Sequence, residues 1–250
     1  MGGAAAMSER SKRSGGADQG TGGEDSAVTQ DYLKAVWAAC EWGGAGASVT
    51  GLARRMGVAP STASENVARL VEAGLLEHEP YRAVTLTQAG RERAMSIVRR
   101  HRLLETYLVE RLGFEWDEVH AEAEDLEHAC SQRLLEALDR ALDHPVRDPH
   151  GDPIPTQDGR VVVPALRAVE TVAVGRTVVV GRIRDDAVVL RELSQAGIGL
   201  DVPVTVVTRG SASSGSGRAR RTTTVRAALA RQGAGQQEVV LPAGSLWVVA

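Results

Sequence analysis

Cysteine is almost missing from this chain of 250 residues. Cys40 and Cys130 are its only two, which excludes a disulfide scaffold and favours a reducing, cytoplasmic setting. No apolar run approaches the roughly 20 residues that a membrane helix needs. Residues 1–25 also lack the apolar core of a signal peptide. Charge of one sign is not in excess either: Lys+Arg 29 against Asp+Glu 32 leaves a net charge of -3, which excludes a uniformly basic nucleic-acid coat. With 43% hydrophobic and 24% charged residues, neither collagen nor a fully disordered chain is possible, and the length fits one large domain or two ordinary ones.

Residues 1–27 are Gly, Ala, Ser and charged residues with too little apolar surface to offset ordering entropy, so they read as a disordered tail. From Thr29, the positions Tyr32, Val36, Ala39 and Cys40 recur at helical spacing up to the cluster of Gly43, Gly44 and Gly46. Val49, Leu52, Ala53 and Met56 predict a short helix, Gly57 and Val58 a turn, and Pro60-Ser61-Thr62 the start of a second helix ending at Gly74. Leu75, Leu76 and the alternating Val84 to Thr87 read as a two-stranded hairpin. Helices are predicted over residues 88–107 and 117–142, followed by HPVRDPHGDPIP, whose four prolines dictate an extended strap or linker. Beyond Val161, short Val-rich runs at 161–163, 169–174, 177–183, 188–190, 202–207, 239–241 and 246–249 suggest a small β-barrel. GSASSGSGRAR, between Arg209 and Arg221, reads as a flexible loop without function.

Two short helices with a tight turn and a hairpin behind them make a winged helix-turn-helix. The start of its second helix presents Pro60, Ser61, Thr62, Ser64 and Glu65, where small hydroxyls and free N–H groups suit phosphates and base edges. Arg54, Arg55, Arg69 and Arg82 surround that helix. Residues 49–100 carry eight Arg or Lys and five Asp or Glu, whereas residues 101–148 carry five and thirteen, so a basic head precedes an acidic middle.

Within that middle, Glu124, Glu127 and His128 stand at i, i+3 and i+4 and project from one helix face. His120 lies one turn earlier, His101 and Glu105 form a second i, i+4 pair, and Asp31 adds a donor from a third element. In isolation the EDLEH segment also reads as a solvated acidic face. Two His/Glu pairs on successive helices favour a metal site, and carboxylate with imidazole but no thiolate suits Mn²⁺ or Fe²⁺ better than structural zinc. Cys40 and Cys130 read as small core residues, and His78, His144 and His150 as surface or packing histidines.

The stretches TQDYLKAVW, APSTASENVARLVEAGLLE, LTQAGRERA, RRHRLLETYL, VHAEAEDLEH and PHGDPIP, in that order, resemble the diphtheria-toxin-repressor family of metal-dependent transcriptional regulators. LRELSQAGIGLDVPVTVV is similar to the SH3-like domain of its longer members. The resemblance implies an α+β chain with the disordered tail at 1–27 and a winged helix-turn-helix at 28–99. A helical dimerisation and metal-binding region would occupy 100–145, a proline-rich linker 146–163 and an SH3-like domain 164–250. It further implies a cytoplasmic homodimer, free of any membrane, that binds a palindromic operator in double-stranded DNA with metal as co-repressor. The primary site so implied uses Asp31, Glu124, Glu127 and His128. The ancillary site uses His101, Glu105, His120 and a carboxylate from the SH3-like domain, Asp186 or its neighbour Asp185. The iron branch has Met and Cys where Asp31 and Glu124 stand, so the resemblance points to Mn²⁺ as cofactor, with Fe²⁺ the alternative. Lys34, where short manganese regulators carry a Glu, argues against a closely spaced ion pair. Two other classes remain at this stage, a carboxylate-bridged metalloenzyme and a winged-helix regulator sensing an organic ligand. Against catalysis, no nucleophile triad and no phosphate-binding glycine loop is recognisable.

Overall fold

A computed structural model describes residues 26–213, 219–227 and 238–249. It forms a helical head, a helical middle and a C-terminal sheet, each with its own apolar core. In the head, Ser26 caps α1 (Ala27–Cys40) by accepting the Thr29 N–H. Ser48 caps α2 (Val49–Met56) in the same way, and that helix closes on the left-handed Gly57. α3 (Pro60–Glu72) begins with Pro60, where the missing N–H costs nothing. β1 (Leu76–Glu77) and β2 (Thr85–Leu86) pair antiparallel as the wing. Tyr32, Leu33, Val36, Leu52, Val67, Leu70, Leu76 and Val84 lock these elements around one core.

α4 (Gln88–Leu112) is 25 residues, about 37 Å, and joins the cores of the head and the middle. Its first half places Ala94, Ile97 and Val98 in the head core. Its second half packs Leu103, Leu104 and Leu108 against Val119, Ala123, Leu135 and Leu138. The single helix expected over 117–142 is two: α5 (Val119–Glu127) and α6 (Gln132–Ala141). Ser131 accepts the Leu134 N–H and starts α6 afresh, which leaves His128 just past the end of α5. The proline-rich strap is packed rather than solvated. Asp148, His150, Asp152 and Ile154 are buried, and the Asp148 carboxylate accepts the backbone N–H groups of His150 and Asp152.

The C-terminal part is an antiparallel sheet in the order β3-β8-β4-β5-β6-β7. Its strands are β3 (Leu166–Ala168), β4 (Thr177–Ile183), β5 (Pro203–Ser213), β6 (Ala219–Ala227), β7 (Glu238–Pro242) and β8 (Leu246–Val249). The expected barrel is not closed: among the described residues β3 pairs only with β8 and β7 only with β6, so both edges stay open. The run expected as a strand at 188–190 lies in α7 (Ala187–Gln195), whose N-terminus Asp186 caps. Part of the run at 169–174 is a short 3-10 turn, and residues 161–163 join no strand. The flanks of the expected flexible loop are strand as well, with Arg209 opposite Thr223 and Ser211 opposite Arg221 in a long hairpin. Residues 214–218 of that loop and 1–25 of the expected tail lie outside the described residues, while Ala27 already belongs to α1.

Candidate metal centre and nucleic-acid interface

The helical period of α1 puts Asp31 and Lys34 on the face turned to the end of α5. There His128 Nε2 lies 3.2 Å from Asp31 Oδ1 and 3.7 Å from Glu127 Oε1, while its Nδ1 meets Gln30 Oε1 at 3.1 Å. Asp31, Glu127 and His128 thus offer three converging donors. Glu124 does not join Asp31 and His128, but with Glu127 and His101 it forms another group of three converging donors. Lys34 Nζ donates to Glu124 Oε1 at 2.7 Å and to Glu127 Oε1 at 2.6 Å. Burial raises the Asp31 carboxyl above its ordinary value despite the nearby His128. Burial opposes charge on Glu127 too, yet the hydrogen bond and charge of His101, with Lys34, hold it below the usual range.

Glu127 also faces the second cluster, its Oε2 lying 2.7 Å from His101 Nδ1. One turn along α4 from His101, Glu105 Oε1 approaches His101 Nε2 at 2.9 Å and His120 Nδ1 at 3.1 Å. His120, on α5, is also 2.9 Å from Asp185 Oδ2. The hydrogen bond to Asp185, then that to Glu105, lifts its pKa to about 10. The carboxylate beside His120 is therefore Asp185, not Asp186, whose Oδ1 is spent on the N–H groups of Val188 and Val189 at the start of α7.

His150, expected as a surface or packing residue, joins the same cluster: Glu105, His150 and Asp185 offer three donors within 4.8 Å of one another. Its Nε2 lies 3.0 Å from the Trp116 carbonyl, which can only accept, so Nε2 carries a proton and Nδ1 is the nitrogen a metal would use; burial opposes charge on the ring, yet Asp148 and Glu105 raise its pKa above the ordinary value. The signal available for His150 was its place between prolines in a strap with two flanking aspartates. His144 and His78 are exposed and outside both clusters. Neither cysteine joins a donor cluster among the described residues; Cys130 is buried in the middle core and Cys40 packs against the head core. The second cluster opens on a cavity of about 1000 Å³ walled by α1, α4, α5, the strap and the sheet, which Lys34 and Glu124 also line. Carboxylates and imidazoles without thiolate are the donor chemistry of Mn²⁺ or Fe²⁺, so the residues present fit such an ion.

On the head, α3 buries Ala63, Val67 and Leu70 and turns Pro60, Ser61, Thr62, Ser64 and Glu65 to solvent. Its cap residue, Ala59, has no side-chain acceptor, so the first N–H groups of the helix are available to an anion. Arg54 and Arg55 are exposed at the end of α2, and Arg82 is exposed in the wing beside the fully exposed Tyr81. The sequence-predicted interface residues are therefore all exposed to solvent.

A family profile described as "Iron dependent repressor, N-terminal DNA binding domain" matches residues 26–84. A second, "Iron dependent repressor, metal binding and dimerisation domain", matches residues 87–156. The iron-dependent repressor IdeR of Mycobacterium tuberculosis is 39% identical over 104 residues, which are 42% of this chain and 45% of that protein. The match thus spans less than half the length of that curated relative. An uncharacterized HTH-type transcriptional regulator of Methanocaldococcus jannaschii is 33% identical over 109 residues, 44% of this chain and 87% of that protein. The solved structure of a manganese-dependent transcriptional repressor in complex with manganese is 45% identical, with a TM-score of 0.76, covering 89% of this chain and 100% of that one.

Proposed function

The chain belongs to the iron-dependent repressor family, and from that membership we propose that it is a cytoplasmic, homodimeric, Mn²⁺-dependent repressor of metal-homeostasis genes that binds a palindromic operator. The observation that carries this reading is a thiolate-free donor cluster joining α1 of the head to the end of α5, in a chain whose α3 starts exposed and without a side-chain cap. Asp31, Glu124, Glu127 and His128 would hold an ion at the primary cluster. His101, Glu105, His120 and Asp185, with His150, would hold one at the second. A bound divalent ion supplies the positive charge that lets several carboxylates converge on one point.

Asp31 transmits that convergence to the head. It sits on α1, which packs on both α2 and α4, so the seat of α1 sets the direction in which α3 points. Binding shifts the population toward the DNA-competent arrangement only by the difference in metal affinity between the two arrangements. Ser61, Thr62 and the N-terminus of α3 would meet base edges and phosphate, with Arg54 and Arg82 on the flanking backbone.

An operator selected from random duplexes in the presence of Mn²⁺ provides the test. Its affinity is expected to be high with Mn²⁺, lost with chelator, and lost in His128→Ala despite normal dimerisation. Binding that ignores chelator overturns the metal reading in favour of an organic effector. Similarity to IdeR keeps Fe²⁺ as the second reading, and stronger operator binding with Fe²⁺ than with Mn²⁺ decides for it.

A further inference from the structure

Only two of the 29 basic residues are lysines, Lys12 and Lys34. Lys34 is buried, with 9% of its side chain exposed, and its ammonium spans Glu124 and Glu127 at 2.7 and 2.6 Å. These are charge-assisted hydrogen bonds at the short end of their range. Of the two oxygens engaged, Glu127 Oε1 lies 3.7 Å from His128 Nε2 within the primary cluster, and Glu124 Oε1 belongs to the carboxylate that would complete it. An oxygen lone pair given to an ammonium proton is not available to a metal. Resting on the metal reading above, we propose that Lys34 is a resident cation of the metal-free primary cluster, displaced when a divalent ion binds, and thereby sets the metal concentration at which the protein responds.

The arrangement accounts for three features at once. Glu124 shares no donor group with Asp31 and His128 because Lys34 holds its Oε1 toward Glu127. The metal-free protein tolerates two adjacent carboxylates, one of them fully buried, because a positive charge stands between them. Lysine rather than arginine suits the task, since a compact charge on a flexible stem can leave a site that a planar guanidinium fork would keep. Room for that departure exists in a cavity of about 250 Å³ lined by Asp31, Lys34, Arg55, Met56 and Glu124. Displacement taxes metal binding, because the competent state is populated only when the ammonium has left.

Calorimetric titration of the full chain with Mn²⁺ alone, for wild type, Lys34→Gln and Lys34→Met, tests the idea. Both variants are expected to bind the first ion roughly tenfold tighter or more, the scale on which one buried charge contact moves a binding constant. Their metal-free forms are expected to melt below wild type. Unchanged or weaker Mn²⁺ affinity in both variants overturns the proposal. Should the variants not fold, wild type decides by amine acetylation read by mass spectrometry, with Lys12 as internal reference. Labelling of Lys34 is expected to rise on adding Mn²⁺, and constant labelling at saturation overturns the proposal. Wild-type protein that takes up no Mn²⁺ overturns the metal reading itself.

Discussion

Glu127 is the residue on which the two donor clusters meet. Its Oε1 serves Lys34 and His128 and its Oε2 serves His101, all from a position with no solvent exposure. Removing it leaves the buried Lys34 ammonium with Glu124 alone and the buried His101 imidazole with Glu105 alone, a loss of about 3 kcal/mol. Glu127→Ala is therefore expected to lower metal-free stability in urea unfolding far more than His128→Ala, whose ring is partly exposed. Equal losses in the two variants would count against this role. At His120 the linkage runs the other way for metal. Its folded pKa of about 10, raised first by Asp185, means that the ion pair stabilises the metal-free protein fully below the ordinary imidazole value of about 6.5 and is lost as pH climbs through 10. A metal at the ring nitrogen must displace that proton. Mn²⁺ affinity at the second cluster should rise between pH 6 and 8 with net proton release, visible as a buffer-dependent heat of binding. Glu105 was legible from its i, i+4 pairing with His101, and His120 as a further histidine one helix away. The charge state of His120 was not, because Asp185 reaches it from 65 residues downstream in another part of the fold.

At the scale of elements, caps and breakers told most of the story. Val49, Gly57, Pro60 and Gly74 mark the two helices of the head within a residue or two of where they stand. Substituting Ser61, Thr62 or Arg82 by Ala should weaken operator binding several-fold while leaving Mn²⁺ affinity intact, measured side by side by anisotropy and calorimetry. Loss of both together would argue that α3 serves the fold rather than DNA. Elsewhere local preference misled. Residues 128–131 carry no Gly or Pro, so the helical pattern runs on through them, and only the Ser131 side chain bonding back to Leu134 ends it. Two adjacent valines before Leu190 favour a strand by their branching, yet burial of Val189, Leu190 and Leu193 on one helix face outweighs that preference.

For the molecule as a whole, the sheet is tied to the head and the strap by one guanidinium. Arg182 on β4 stacks between Trp42, 4.6 Å from its ring centre, and Trp247, at 4.2 Å, and pairs with Asp152 of the strap. Trp42 Nε1 donates to the same carboxylate at 3.0 Å. Beside this clasp, Arg102 grips Glu41 with two bonds and donates to the Pro153 carbonyl. Asp185 follows Arg182 by three residues, so the clasp sets where that carboxylate stands. Arg182→Ala is expected to weaken the second Mn²⁺ step several-fold and spare the first; two unchanged steps in calorimetry would dissociate the clasp from the metal clusters.

The sequence by itself determined the helical head, its wing, the donor types and their helical spacing, because periodicity, caps and turn residues act within a few positions of the chain. Only the tertiary structure decided that Asp185 rather than Asp186 faces His120, that His150 reaches the cluster, that Lys34 bridges Glu124 and Glu127, and that the sheet stays open. Each of these depends on groups tens of residues apart being brought together by the cores that α4 and the strap connect, and no local pattern encodes that distance.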